Sequence, residues 1–155
     1  MARVNVGINP KYLSDQHLIA ESVEITMITG SLRKDGYQIK GQVPDKFCLG
    51  TGHINFFKPK LNYLRLRLRE VNDELERRGF KHDKKITDFG EFFNMNLTKN
   101  WTPSQRDSNI VKERIIDRLK NPLRAKPGFH KYYGKPIENM NDFCEKINES
   151  ELYFV

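Results

Sequence analysis

Leu61, Leu64, Leu68, Val71 and Leu75 recur at helical spacing between Pro59 and Gly79. That pattern predicts an amphipathic helix over 59–78, opened by the proline and stopped by the glycine. Its other faces carry Arg65, Arg67, Arg69, Arg77 and Arg78, most of which read as a solvated face. A second helix is predicted after Thr102, with Pro103 in its first turn, an apolar row through Ile110, Val111, Ile115 and Leu119, and an end near Asn121 and Pro122. Ser14 and Asp15 are good caps for an earlier helix over 15–33, but Val23, Ile25, Thr26, Ile28 and Thr29 are β-branched and favour a strand, so local pattern leaves this stretch undecided. Residues 35–51, with Gly36, Gly41, Pro44 and Gly50, and residues 81–101, which lack sustained periodicity, read as loops. With few alternating segments, no repeat and no low-complexity tract, the expected class is all-α: a compact, irregular bundle of three longer helices with long loops.

A chain of 155 residues with 37% apolar and 30% charged positions suits one globular domain. No apolar run approaches the roughly 18 residues of a membrane span, and no apolar stretch follows Met1 to suggest a secretory signal, so a soluble protein in the cytoplasm is the expectation. Cys48 and Cys144 are read as free thiols, and His17, His53, His82 and His130 form no metal-ligand spacing. No metal site and no cofactor are expected. The formal charge of +7 is uneven: residues 138–155 carry a net −4, leaving +11 on residues 1–137. Such an excess favours phosphate contacts through counterion release, although basic surfaces also serve solubility alone.

If 15–33 is helical, His17, Glu21, Glu24 and Ile28 fall along one face. Two acids and a histidine then either converge on a site or form a solvated polar edge. Pattern alone favours the edge.

Several strings change that balance. Ala2-Arg3-Val4-Asn5, Asp15-Gln16-His17-Leu18-Ile19-Ala20-Glu21, the segment from Phe47 to Phe57, Arg77-Arg78-Gly79-Phe80 and Lys131-Tyr132-Tyr133-Gly134-Lys135 occur in this order and span most of residues 2–137. Together they resemble the pyrimidine dimer DNA glycosylase (endonuclease V-like) family. The resemblance implies an N-terminal segment threaded between helices, a helix over 15–33 in spite of its β-branched residues, and a domain over 1–137. Residues 138–155 are then an acidic C-terminal extension on the same domain, either packed through a small helix with Phe143, Ile147 and Leu152 or screening the basic cleft.

The activity implied is that of a DNA N-glycosylase and AP lyase, working without metal or cofactor on damaged double-stranded DNA as a monomer, in the host cytoplasm if phage-encoded. The nucleophile is a terminal amine, here that of Ala2 after removal of Met1. An α-amino group titrates at about 7.7–8.0, so a useful fraction is neutral at physiological pH. Glu24 matches the catalytic glutamate. The DNA-binding set carried over is Arg3, Gln16, His17, Arg118, Lys131 and Lys135, with Tyr132 and Tyr133 stacking on the damaged strand or packing in the core. Glu21 is expected to orient a neighbour or to pair with Arg3 or His17, while Asn5, Gly52 and His53 look architectural.

The chain also departs from the family. Val23 and Met27 stand where dimer-cleaving members carry arginines, Thr26 where some have proline, Pro122 where a basic residue is usual, and Phe129 and His130 in place of tryptophan and tyrosine. Lys11, Arg33, Lys34, Lys120 and Arg124 are the cations available to compensate. Three readings follow: a glycosylase and lyase for cyclobutane pyrimidine dimers, an enzyme of the same mechanism for another altered pyrimidine or an abasic site, and a non-catalytic binding protein on the same scaffold.

Overall fold

The structure, a computed structural model, describes residues 3–81, 86–122 and 126–155. Met1, Ala2, His82 and Arg124 lie outside them. The fold is mainly α: α1 (Asp15–Lys34), α2 (His53–Phe57), α3 (Leu61–Arg77), α4 (Gln105–Lys120) and α5 (Met140–Glu149), joined by loops, two 3-10 segments and one small hairpin, β1 (Lys131–Tyr132) and β2 (Lys135–Pro136). The three longer helices are α1, α3 and α4. Among the described residues no helix is long and apolar enough to cross a membrane.

Packing decides the fate of residues 15–34. Ile25, Ile28 and Thr29 are fully buried, so their branched side chains fill core instead of lining a strand. The Thr26 and Thr29 hydroxyls donate back to the carbonyls of Val23 and Thr26, and Ser14 caps the start by accepting from the His17 amide. In α3 all five periodic apolar residues are buried. After it, Gly79 takes φ +83° and Phe80 N donates to Leu75 O, closing the helix.

Four expectations need correction. Pro103 precedes α4 instead of entering its first turn: Ser104 is the cap, exchanging bonds with Asp107 in a capping box. Residues 81–101 are not simply loop, because Ile86–Phe92 forms a 3-10 helix that puts Phe89 and Phe92 into the core. Two of the α3-region arginines are not solvated: Arg67 is buried, and so is the Arg78 side chain, each beside a carboxylate. In the tail, α5 ends at Glu149, so Leu152 lies beyond it.

The N-terminal segment threads between helices, with Val4, Val6 and Ile8 all fully buried. Arg67 donates to Ile8 O from α3, and Ser108 donates to Gly7 O from α4. A Cβ on Gly7, at φ +73°, would stand 2.7 Å from Ser108 Cβ, so only glycine allows this approach. The tail meets the same point. Tyr153 N donates to Gly7 O, Lys112 Nζ donates to the Asn148 and Ser150 carbonyls, and Cys144 and Ile147 are buried against α4.

Candidate active site

α1 carries two buried glutamates one turn apart, with opposite surroundings. Glu21 is saturated. Arg67 reaches it through Nε at 2.7 Å and Nη2 at 3.0 Å, and Asn5 Nδ2 donates at 3.0 Å. Burial works against the Arg67 charge, and the Glu21 carboxylate outweighs it, leaving Arg67 above the usual arginine range. Glu21 therefore pairs with Arg67 and Asn5, neither of which was the partner expected of it. Its work is to tie the N-terminal segment to α1 and α3.

Glu24 is 3% exposed and poorly satisfied. Among the described residues it pairs with Arg3, at 3.7 Å from Arg3 Nη1 to Oε1, and Oε1 accepts no hydrogen bond. Burial raises its carboxyl above the ordinary range, opposed by the charges of Arg3 and Arg114. A carboxyl held in this way is suited to giving up and taking back a proton nearer neutrality.

Arg3 is fixed on its other side by Nε donating to Leu49 O at 2.7 Å. The next residue is fixed through His53: Val4 N donates to Nε2 at 3.1 Å, so Nε2 bears no proton and Nδ1 donates to Cys48 O at 2.8 Å. Desolvation lowers the His53 pKa to about 4, against the pull of that Cys48 bond. His53 is thus a neutral clamp between the loop and the chain start. Gly52 before it holds φ +101°, where a Cβ would lie 2.8 Å from Pro44 Cγ.

His17 stands one turn before Glu21 on α1, packed at 4.9 Å against the His130 ring, whose Nδ1 lies 3.4 Å from Ser14 Oγ. Burial first, and then the charges of His130, Arg114 and Arg118, depress the His17 pKa to about 3, so it is a neutral imidazole at physiological pH. Its Nδ1 is buried without a hydrogen-bond partner. Gln16 points the other way and accepts from Lys131 N at 2.7 Å, joining α1 to the hairpin. Arg118 is exposed on α4, and Lys131 and Lys135 are exposed on the hairpin.

The two tyrosines form a cluster of their own. Tyr133 and Gly134 both have positive φ, as a two-residue hairpin turn of the primed type requires, and their amides donate to Asp15 at 3.0 and 2.8 Å. Arg78 stacks under both rings, at 4.6 Å from Tyr132 and 4.9 Å from Tyr133, and donates to Asp15 and to Leu13 O. Tyr132 Oη donates to Lys11 O, and Tyr133 Oη to Glu74. The structure therefore unites Arg3 with Glu24, His17 with His130, and Gln16 with the hairpin backbone, while Tyr132 and Tyr133 are engaged with Arg78, Asp15 and Glu74.

Arg114 on α4 was missed in the sequence. Its spacing of four from Arg118 is the signal that points to it, since both then share one helix face. Among the described residues no group of three His, Cys, Asp or Glu side chains is placed to hold a metal ion. The family model described as pyrimidine dimer DNA glycosylase matches residues 1–88.

Proposed function

This chain belongs to the pyrimidine dimer DNA glycosylase family, and on that premise we propose that it is a DNA repair N-glycosylase and AP lyase acting on cyclobutane pyrimidine dimers in duplex DNA. Ala2, freed of Met1, supplies the nucleophile, and Glu24 assists. The observation that carries this reading is the contrast between the two carboxylates. Glu24 is buried with an unbonded Oε1, contacts Arg3, and is raised in pKa, at the point where the chain start meets α1. Covalent geometry keeps the residue 2 amine within about 5 Å of the Arg3 Cα, which suits it to act beside Glu24.

The neutral amine attacks C1′ of the damaged nucleotide's deoxyribose. The glycosidic bond breaks with its electron pair going to the base, which leaves with a proton given up by the attacking amine; the ring C1′–O4′ bond then opens with its electrons going to O4′, which takes a proton from solvent, while the nitrogen lone pair forms the protonated imine. The Glu24 carboxylate stabilises the positive charge growing on the sugar. It then takes the C2′ proton, and the C3′–O bond breaks with its electrons passing to the phosphate that leaves. Arg3, Arg118 and Lys131 serve as phosphate contacts. Gln16 and Lys135 complete the DNA-facing set, while neutral His17 contributes a hydrogen bond and no charge. Tyr132 and Tyr133 act through the hairpin they hold.

A second reading has its own support. Val23 and Met27 are 42% and 55% exposed on α1, and two apolar side chains on this face favour a different altered pyrimidine or an abasic site handled by the same mechanism. The test is borohydride trapping of the protein, its N-terminus verified by mass, on thymine-dimer and abasic duplexes. Trapping of Ala2 on dimer DNA, abolished in Glu24→Gln, is expected. Trapping on abasic DNA alone selects the second reading, and no adduct on either sinks both.

A further inference from the structure

The loop that leads into α2 holds the chain start at two successive residues. Arg3 Nε donates to Leu49 O at 2.7 Å, and Val4 N donates to His53 Nε2 at 3.1 Å. The other ring nitrogen of His53, Nδ1, donates to Cys48 O at 2.8 Å, so one imidazole spans the gap between loop and chain start. The residue is 1% exposed, and its ring stands at steep angles of 71° and 77° to those of Phe47 and Phe57. Its own amide donates to Gly50 O, directly after Gly52 at φ +101°. Backbone and ring are both fixed.

Two residues separate the Val4 amide from the amine of residue 2, a span of at most about 7 Å. Because peptide units are planar, only the soft torsions of residues 2 and 3 lie between them. Arg3 restricts these further, since its side chain is tied to Leu49 O and lies 3.7 Å from Glu24. The Val4 side chain is fully buried, but apolar packing has no direction and does not decide which way a peptide faces. A hydrogen bond to the N–H does. Lysine and arginine offer no acceptor for it, whereas imidazole accepts as long as Nε2 is bare. Burial lowers the His53 pKa to about 4, so the bond persists at every pH where an α-amine is partly neutral.

We propose that His53 is a positioning residue for the nucleophile, its bond to the Val4 amide directing the amine of residue 2 at the deoxyribose carbon beside Glu24. This rests on the glycosylase reading and deepens it. An attack needs the nitrogen lone pair aimed at C1′, and an untethered terminal residue presents it in only a small share of its conformations. His53 exchanges no proton in the reaction and acts through the backbone of residues 3 and 4. Asn5, bonded to Glu21, holds the segment one residue farther along, which leaves the ring as the tether nearer the amine.

The experiment compares wild type with His53→Gln and His53→Asn on a duplex holding an abasic site. The glutamine amide reaches as far as Nε2 and can accept from Val4 N, while the asparagine amide reaches only as far as Nδ1 and can donate to Cys48 O. Each variant thus keeps one of the two bonds. Three quantities are read below all thermal midpoints: the midpoint itself, affinity for a duplex with a reduced abasic analogue that forms no imine, and the single-turnover rate of borohydride trapping at saturating protein. Backbone freedom regained by one residue slows a positioned attack about tenfold. His53→Asn is expected to show that loss at unchanged affinity, and His53→Gln to be trapped at close to the wild-type rate. Equal rates in the two variants, slowed or not, overturn the proposal, because the rate then does not follow the Val4 bond, and the glycosylase reading stands. Should a variant not fold, hydrogen exchange at the Val4 amide of wild type decides: protection in the complex with the reduced abasic duplex supports the tether, and exchange at the rate of an unstructured amide overturns it. If wild type is trapped on neither abasic nor dimer DNA, the glycosylase reading falls and the positioning role with it.

Discussion

The buried ion pair of Glu21 and Arg67 is a test of how the chain start is held. In Arg67→Met, the two guanidinium bonds to Glu21, at 2.7 and 3.0 Å, and the bond to Ile8 O, at 2.7 Å, are lost together. Glu21 keeps one donor, Asn5 Nδ2, in a site with no solvent access. Breaking a buried pair by removing one partner costs about 3–5 kcal/mol, because the remaining charge stays desolvated. Against a domain stability of about 5–15 kcal/mol that is a large fraction, though short of the whole. With a urea dependence of about 2 kcal/mol per molar, the midpoint falls by roughly 2 M. Glu21→Leu should cost a similar amount by stranding the guanidinium. The double variant removes both charges and should lose less than the two single costs added, with a coupling of about 2–3 kcal/mol. Urea unfolding of the four proteins, followed by circular dichroism, gives the cycle. Additive single effects, or a loss under about 1 kcal/mol in Arg67→Met, would show that water or another donor reaches Glu21 and would refute the reasoning.

Acid should weaken the fold well above the carboxylate range. His53 and His17 are held neutral, with pKa values lowered from 6.5 to about 4 and about 3. Between pH 6.5 and 4 the unfolded chain takes up protons that the folded one refuses, so stability is full above pH 6.5 and falls by up to about 1.4 kcal/mol per pH unit for each histidine as pH drops. Urea midpoints that match at pH 7 and pH 5 would contradict this. In Gly52→Ala, the φ of +101° and the 2.8 Å approach to Pro44 should together cost about 1–3 kcal/mol, read as a lower thermal midpoint. Glu24→Gln should raise the unfolding midpoint at pH 7. With a folded pKa raised by burial, this group favours folding only while protonated, and that favour is lost as pH rises through the folded value. An unchanged or lowered midpoint would mean that its ion pair with Arg3 compensates for burial.

The parts of the fold written in local sequence were legible. Five apolar residues at helical spacing with a proline before and a glycine after define α3. α1 was not decidable from its own residues, because its β-branched side chains serve equally well in a strand until a core is available to fill. The 3-10 segment Ile86–Phe92 escaped notice because a short helix with a three-residue repeat leaves no sustained pattern. Arg67 and Arg78 read as surface charges since their partners, Glu21 and Asp15, are 46 and 63 residues away in the chain. Of the candidate site, Arg3 and the hairpin lie within the strings that carry the resemblance, and Glu24 lies three residues beyond one of them. Arg114 belongs to no such string, and the reach of its charge to His17 and Glu24 emerges only in the folded chain.

Glu21 and Glu24 show why composition cannot tell a structural acid from a reactive one. Both are glutamates on one helix, both are buried, and both belong to the row of residues that a helical projection places together. A carboxylate kept for architecture should be fully bonded, since any unbonded oxygen in the interior costs stability without return. Glu21 meets that condition with three donor nitrogens, two of them on the Arg67 guanidinium at 2.7 and 3.0 Å. Glu24 does not: its cation is at 3.7 Å, one oxygen is unbonded, and its pKa is raised, so the folded chain carries a group that burial penalises. An energetic cost held in place by a fixed chain start on one side and an arginine row on the other is intelligible if substrate completes the missing bonds. Glu21 holds the segment that reaches Glu24, and the saturated acid thereby positions the unsaturated one's partners.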